Sequence, residues 1–78
     1  MKDKIFITGG AGCLGSNLAE HYINLGSTVA VIDDFSTGNK SVIQRLTGKG
    51  LIFHEGSIAD KQLLQSIFEE FRPNRIIH

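Results

Sequence analysis

The sequence predicts an α/β fold, a parallel sheet of four strands in the order 3-2-1-4 with helices on both faces. Three observations predict it. Apolar runs rich in β-branched residues alternate with stretches whose apolar residues recur at helical spacing, giving β-α-β-α-β-α-β. The second run, Thr28-Val29-Ala30-Val31-Ile32, is apolar throughout, as expected of a parallel strand covered by helices on each side. The first run ends in a glycine cluster that opens a helix, the turn that begins one half of a doubly wound sheet. Right-handed crossovers between such strands give that order and three layers, α/β/α.

The elements follow in turn. Strand one is Lys4 to Thr8. Helix one runs from Cys13 to Leu25, with Leu14, Leu18, Tyr22 and Leu25 at helical spacing and Gly26 as a C-terminal stop. Strand two ends in Asp33-Asp34, and Phe35-Ser36-Thr37-Gly38-Asn39 is a loop of turn formers. A short, weakly amphipathic helix passes through Val42, Ile43 and Leu46 and ends at Gly48 and Gly50. Leu51 to Glu55 is strand three, Gly56-Ser57-Ile58-Ala59 a loop, and Asp60 an N-cap. Leu63, Leu64, Ile67, Phe68 and Phe71 form one apolar stripe, expected to be a buried helix face. Pro73 forbids continuation, and Arg75-Ile76-Ile77-His78 begins strand four.

Composition narrows the function classes. The chain has 78 residues, 41% hydrophobic and 21% charged, which suits one small soluble domain or part of one. Eight basic residues balance eight acidic ones, so no charge excess argues for nucleic acid or an anionic membrane. One cysteine excludes an intramolecular disulfide. The apolar run Ile5-Phe6-Ile7 is too short for a signal-peptide core or a membrane span. The expected setting is cytoplasmic.

The chemistry is concentrated in Thr8-Gly9-Gly10-Ala11-Gly12-Cys13-Leu14-Gly15. Gly10, Gly12 and Gly15 fit G-x-G-x-x-G, and Gly9, Gly12 and Gly15 fit G-x-x-G-x-x-G. In such a turn one glycine allows the sharp bend, one leaves room for a ligand at the backbone, and one lets helix and strand pack closely. Spacing alone does not say which glycine plays which part. The helix start then presents unpaired N–H groups and a positive dipole end, suited to a diphosphate. Asp33 lies eighteen residues after Gly15, at the end of strand two. The dinucleotide fold places an acid at that strand end, about 20 residues beyond the glycines, where it accepts from both ribose hydroxyls. A carboxylate there repels a 2′-phosphate, and no Arg stands in residues 34 to 39 to receive one. The expected cofactor is therefore NAD rather than NADP, in a Rossmann-like fold.

Other residues suggest less. Cys13 sits at a helix start, where a thiol pKa is lowered, but no base or second cysteine is near in sequence, so it reads as small apolar filler. His21 belongs on a solvated face, and His54 and His78 have no evident partner. No metal-ligand cluster or catalytic triad can be assembled. The only tyrosine, Tyr22, is followed four residues on by Gly26 rather than lysine.

Those residues carry a resemblance. Thr8 to Leu18 resembles the opening of extended short-chain dehydrogenases/reductases, most of all the NAD-dependent epimerase/dehydratases that act on nucleotide sugars. Asp33-Asp34-Phe35-Ser36-Thr37-Gly38 resembles that family's second-strand ending, and Glu55-Gly56-Ser57-Ile58 its third-strand ending. Arg72-Pro73-Asn74-Arg75-Ile76-Ile77-His78 resembles its lead into strand four, so the likeness covers the whole chain. It implies that residues 1–78 are the N-terminal part of an NAD-binding Rossmann domain.

Position by position, the resemblance implies a phosphate turn of Gly9, Gly12 and Gly15, with the backbone of Cys13 and Leu14 against the pyrophosphate. Asp33, beside Asp34, holds the adenosine ribose. Phe35, Ser36, Thr37 and Gly38 line the adenosine side, and Ser57 and Ile58 meet the adenine. The family often has an aromatic and an isoleucine where this chain has Cys13-Leu14, a change of packing. It usually has aspartate where Ser57 stands, and a neutral serine accepts a weaker bond.

The implied activity is transient oxidation of the sugar: a tyrosinate kept acidic by lysine removes a hydroxyl proton while NAD takes hydride, which later returns. The family's Tyr-x-x-x-Lys and its Ser/Thr lie beyond His78, so no catalytic residue is assigned here. The implied partner is a nucleotide sugar, and the resemblance leaves room for a homodimer. A reductase of the same superfamily and a non-catalytic dinucleotide-sensing module share these motifs. A downstream Tyr-x-x-x-Lys separates enzyme from sensor.

Overall fold

The computed structural model describes residues 3–9, 13–34 and 40–77, with residues 13 and 14 described by their backbone. The elements are β1 (Lys4–Thr8), α1 (Cys13–Asn24), β2 (Thr28–Asp33), α2 (Lys40–Gly48), β3 (Ile52–Glu55), α3 (Lys61–Phe71) and β4 (Arg75–Ile77). All three strand pairings are parallel and the order is β3-β2-β1-β4, as the sequence predicts. Thr8 pairs with Ile32 and Asp33 with Glu55, so the carboxyl ends of β1, β2 and β3 share one edge of the sheet.

Alternation along the inner strands sorts the core into two faces. Ile5, Ile7, Val29 and Val31 join Ala19 of α1 and Ile43 and Leu46 of α2. Phe6, Ala30 and Ile32 point the other way and meet Ile67 and Phe71 of α3. Two helices therefore cover one face and one covers the other. This accounts for the unbroken apolar run of β2: Val29 to Ile32 are fully buried between the layers.

Glycine ends two of the helices in the same way. Gly26, at φ 89°, donates to the Ile23 carbonyl while Ser27 donates to that of Tyr22. Gly50, at φ 108°, donates to Thr47 while Leu51 donates to Leu46. Each is a Schellman ending, with a left-handed residue just past the helix and two carbonyls satisfied. Helix α1 consequently stops at Asn24, one residue before the predicted Leu25, and Leu25 is 67% exposed rather than part of the buried face. Helix α3 ends with Arg72 in the left-handed region, one residue before Pro73.

The α3 stripe differs from expectation at one residue. Ile67 and Phe71 are buried and Leu63 and Leu64 half-buried, but Phe68 is 38% exposed. The stripe is wider than the contact one helix makes with a sheet, and Phe68 lies on its flank. Its ring meets Phe6 edge-on, centroids 5.5 Å apart.

Two polar arrangements set the register of the layers. Asn74 accepts from the Lys4 N–H through Oδ1 at 3.1 Å, and its own N–H donates to the Lys4 carbonyl at 2.9 Å, joining β4 to β1. Glu20 of α1 accepts from Arg45 of α2 and from Lys49 just beyond it. Those hydrogen bonds, Arg45 first and then Lys49, hold the Glu20 carboxyl down at about 2 from an ordinary 4.5.

Candidate functional site

The site is built at the carboxyl edge of the sheet, where side-chain alternation ends and loops begin. Open parallel sheets bind ligands at that edge, at the point where strand order reverses. The reversal here lies between β1 and β4, whose neighbours run 3-2 on one side and 4 on the other.

The ends of β1 and β3 hand on to their loops through backbone bonds beyond the ladder. Gly9 donates its N–H to the Ile32 carbonyl at 2.8 Å, and Gly56 donates to the Asp33 carbonyl at 3.0 Å. The β2 end is thus held from both sides. Gly9 has φ 74°, in the left-handed region that favours glycine, and this bend turns the chain out of β1. Gly12 lies outside the described residues. Cys13 and Leu14 are the first two residues of α1, as predicted, and Gly15 lies in its first turn, half-buried. The first N–H groups of a helix have no partner within it, so this end of α1 is a natural anion seat.

Asp33 is the last residue of β2 and is 8% exposed. A carboxylate at the rim of a sheet is ordinarily well solvated, so burial here marks a position where its acceptors serve polar groups rather than bulk water. Asp34, the next residue, is exposed. Phe35, Ser36, Thr37 and Gly38 lie outside the described residues.

Ser57 and Ile58 follow β3, in the turn that leads into α3. Ser57 Oγ accepts from the Ala59 N–H at 3.0 Å, and the Ser57 carbonyl accepts from Asp60 at 3.0 Å. Ile58 is 49% exposed, an apolar side chain held out at the site edge. Asp60 caps α3 as its sequence position predicts, with Oδ1 accepting from Leu63 at 3.1 Å.

The structure therefore brings Gly9, Asp33 and the start of the Ser57–Ile58 turn to one edge through a continuous row of backbone bonds. Gly56 belongs to this group, although in the sequence it reads only as the start of a loop. Its signal was a glycine directly after a strand, next to residues already singled out. Of the remaining residues, His21 is exposed, as expected, and His54 is half-buried in β3. Among the described residues no group of His, Cys, Asp and Glu is placed to hold a metal ion. No helix among them is long and apolar enough to cross a membrane.

Known proteins share this arrangement. The Bordetella bronchiseptica enzyme WbmG, crystallised with NAD and UDP, is 45% identical with a TM-score of 0.90, covering 100% of this chain and 24% of that one. The UDP-glucose 4-epimerase of Thermotoga maritima, crystallised with UDP-glucose, is 34% identical with a TM-score of 0.84, covering 94% and 22%. A UDP-glucose 4-epimerase of Haemophilus influenzae is 40% identical over 77 residues, 95% of this chain and 23% of that protein. The chain thus spans about a quarter of the length of these relatives. Residues 6–78 match the family described as GDP-mannose 4,6 dehydratase, and the chain belongs to that family, within the NAD-dependent epimerases and dehydratases.

Proposed function

We propose that this chain is the NAD-binding segment of a nucleotide-sugar epimerase or dehydratase that works by transient oxidation of the sugar. The observation that carries the reading is Asp33, a carboxylate 8% exposed at the end of β2, on the strand whose Ile32 carbonyl anchors the glycine turn. A carboxylate offers about four acceptor sites, enough for two ribose hydroxyls beside a protein partner. The donor set suits a dinucleotide: acceptors for the ribose, a helix start for the diphosphate, and an apolar residue at the adenine end.

Each residue has a part. Gly9, Gly12 and Gly15 form the phosphate turn, and the backbone of Cys13 and Leu14 faces the diphosphate. Asp33 accepts from the adenosine ribose, with Asp34, Phe35, Ser36, Thr37 and Gly38 on the same side. Ser57 and Ile58 meet the adenine. Bound NAD supplies a reversible hydride acceptor. The chain's own residues bind it and orient it, and none of them moves a proton of the sugar. General acid–base catalysis needs a group within hydrogen-bond reach of that hydroxyl, with a pKa tuned near the working pH. Its source in this reading is a longer polypeptide that contains residues 1–78 as the first part of its dinucleotide domain.

The relatives crystallised with UDP or UDP-glucose support a UDP-sugar as the substrate. The balanced charge of the chain supports the absence of a nucleic-acid or membrane-surface partner. A cytoplasmic setting and a homodimer complete the reading. The test is an assay of the full-length protein with NAD and a panel of UDP-, GDP-, CDP- and dTDP-sugars. Conversion of a UDP-sugar to its epimer or its 4-keto-6-deoxy product, without net consumption of NAD, is expected. In a parallel assay supplied with NADH or NADPH, stoichiometric consumption of that reduced cofactor would indicate a reductase. NAD binding without turnover of any sugar would indicate a sensing module.

A further inference from the structure

Glu55 ends β3, and the register of the sheet sets it against Asp33, the last residue of β2. The Gly56 N–H, one residue on, donates to the Asp33 carbonyl at 3.0 Å and holds that pairing at the rim. Paired residues of parallel strands send their side chains to the same face. Two residues earlier the same alternation is visible in the core, where Phe53, paired with Val31, packs on the α1 and α2 side. Glu55 therefore lies on the Asp33 face of the sheet, one strand spacing away, about 5 Å.

The pairing is of like charge. Opposite charges across neighbouring strands stabilise a sheet, and like charges oppose it. Asp33 is buried, whereas Glu55 is exposed and has no ion-pair partner among the described residues. Asp34 adds a third acid, and the first basic residue after it in the sequence is Lys40. Glu55 thus brings an uncompensated charge to the end of β2. A ribose hydroxyl is neutral and scarcely feels a solvated carboxylate that does not touch it. A 2′-phosphate carries about two negative charges at neutral pH, and a carboxylate within a Debye length, about 10 Å at 0.1 M salt, repels it.

We infer that Glu55 is a second specificity-determining residue for the cofactor, one that disfavours a 2′-phosphorylated dinucleotide without touching the unphosphorylated one. The inference rests on the dinucleotide reading above. Asp33 selects by contact, since its acceptors suit the ribose hydroxyls. Glu55 selects by charge alone, from the next strand. Its contribution is therefore screened by salt, and an aspartate in its place keeps it.

The experiment uses the full-length protein with Glu55→Gln, Glu55→Lys and Glu55→Asp. NAD affinity is read by calorimetric titration, and NADP affinity by competition against bound NAD, each at low and at high ionic strength. Thermal denaturation gives Tm for every variant. At low ionic strength Glu55→Gln is expected to tighten NADP about threefold and Glu55→Lys about tenfold, the scale of one and two unit charges changed near a dianion across water. NAD affinity is expected to stay within about twofold in both, and Glu55→Asp to keep the parental ratio of the two cofactors. The gains are expected to fade at high salt. Parental NADP affinity in both Glu55→Gln and Glu55→Lys would overturn the inference. A gain shared equally by NAD and NADP, or one that salt leaves intact, would overturn it as well. Loss of NAD affinity together with a lowered Tm would give Glu55 a structural part instead and also overturn it. A parent protein that binds NADP as tightly as NAD, or neither, would overturn the dinucleotide reading itself and the inference with it. A parent that prefers NAD without any response to substitution at Glu55 would overturn the inference alone.

Discussion

The backbone N–H of Gly56 donates to the carbonyl oxygen of Asp33 at 3.0 Å, one residue past the end of β3. With the Gly9 bond to Ile32, it makes the end of β2 the fixed point of the site. A loop that departs from a paired strand end starts from a defined place, and binding residues on such loops inherit that definition.

Asp60 should matter to stability through its side chain alone. Its Oδ1 satisfies the Leu63 N–H, one of the donors a helix start leaves open. Asp60→Ala should cost about 0.5–2 kcal/mol and Asp60→Asn much less. Chemical denaturation of both variants measures this, and equal losses would assign the effect to charge rather than capping.

Glu20 should give a small acid limb to stability. Hydrogen bonds from Arg45 and Lys49 lower its carboxyl to about 2 from 4.5. Above 4.5 the carboxylate is charged in both folded and unfolded chains and its pairing is fully present. As pH falls through about 2 the folded carboxyl protonates and the contribution is gone. The pair is solvent-exposed, so the effect is modest and shrinks with added salt. Thermal denaturation between those two pH values should show a shallower loss for Glu20→Gln than for the parent. Parallel curves at low salt would contradict it.

Cys13 should act through its backbone. It is the first residue of α1, and in the proposed reading its N–H faces the diphosphate whatever the side chain. Cys13→Ala in the full-length protein should keep turnover within a few-fold. A loss of orders of magnitude with NAD affinity intact would give the thiol a part in the chemistry.

The polypeptide of residues 1–78 by itself should have no epimerase, dehydratase or reductase activity. Its one tyrosine lies in α1, half-buried among the core residues, with glycine four residues on. Strand β4 pairs only with β1 among the described residues, and Ile76 in it is 59% exposed. An open apolar edge invites pairing with another chain, so size-exclusion chromatography should show self-association. Turnover that travels with a stable monomer would overturn both expectations.

The fold was legible because its signals are local and agree with one another. The β2 run could only be a strand buried on both faces, and Gly26 and Gly50 mark helix ends that the backbone confirms with positive φ. Asp33 was legible as a strand-end acid at the right distance from Gly15. Its burial was not, since that depends on tertiary packing at the strand end, where β3 lies alongside it. Leu25 misled because the Gly26 ending stops α1 before it, and Phe68 because helical spacing identifies an apolar stripe but not how much of it the sheet can cover. Gly56 was illegible because its bond to Asp33 exists only once β3 lies beside β2.

Cofactor choice tests the central claim most directly. Asp33, buried at the end of β2, should accept from the ribose hydroxyls of NAD and repel the 2′-phosphate of NADP. The measurement is a calorimetric titration of the full-length protein with NAD and NADP, in the parent and in Asp33→Ala. The parent should bind NAD more tightly than NADP, and Asp33→Ala should lose about 1–3 kcal/mol toward NAD while narrowing that preference. Equal or tighter binding of NADP by the parent, or unchanged NAD binding by Asp33→Ala, would contradict the account.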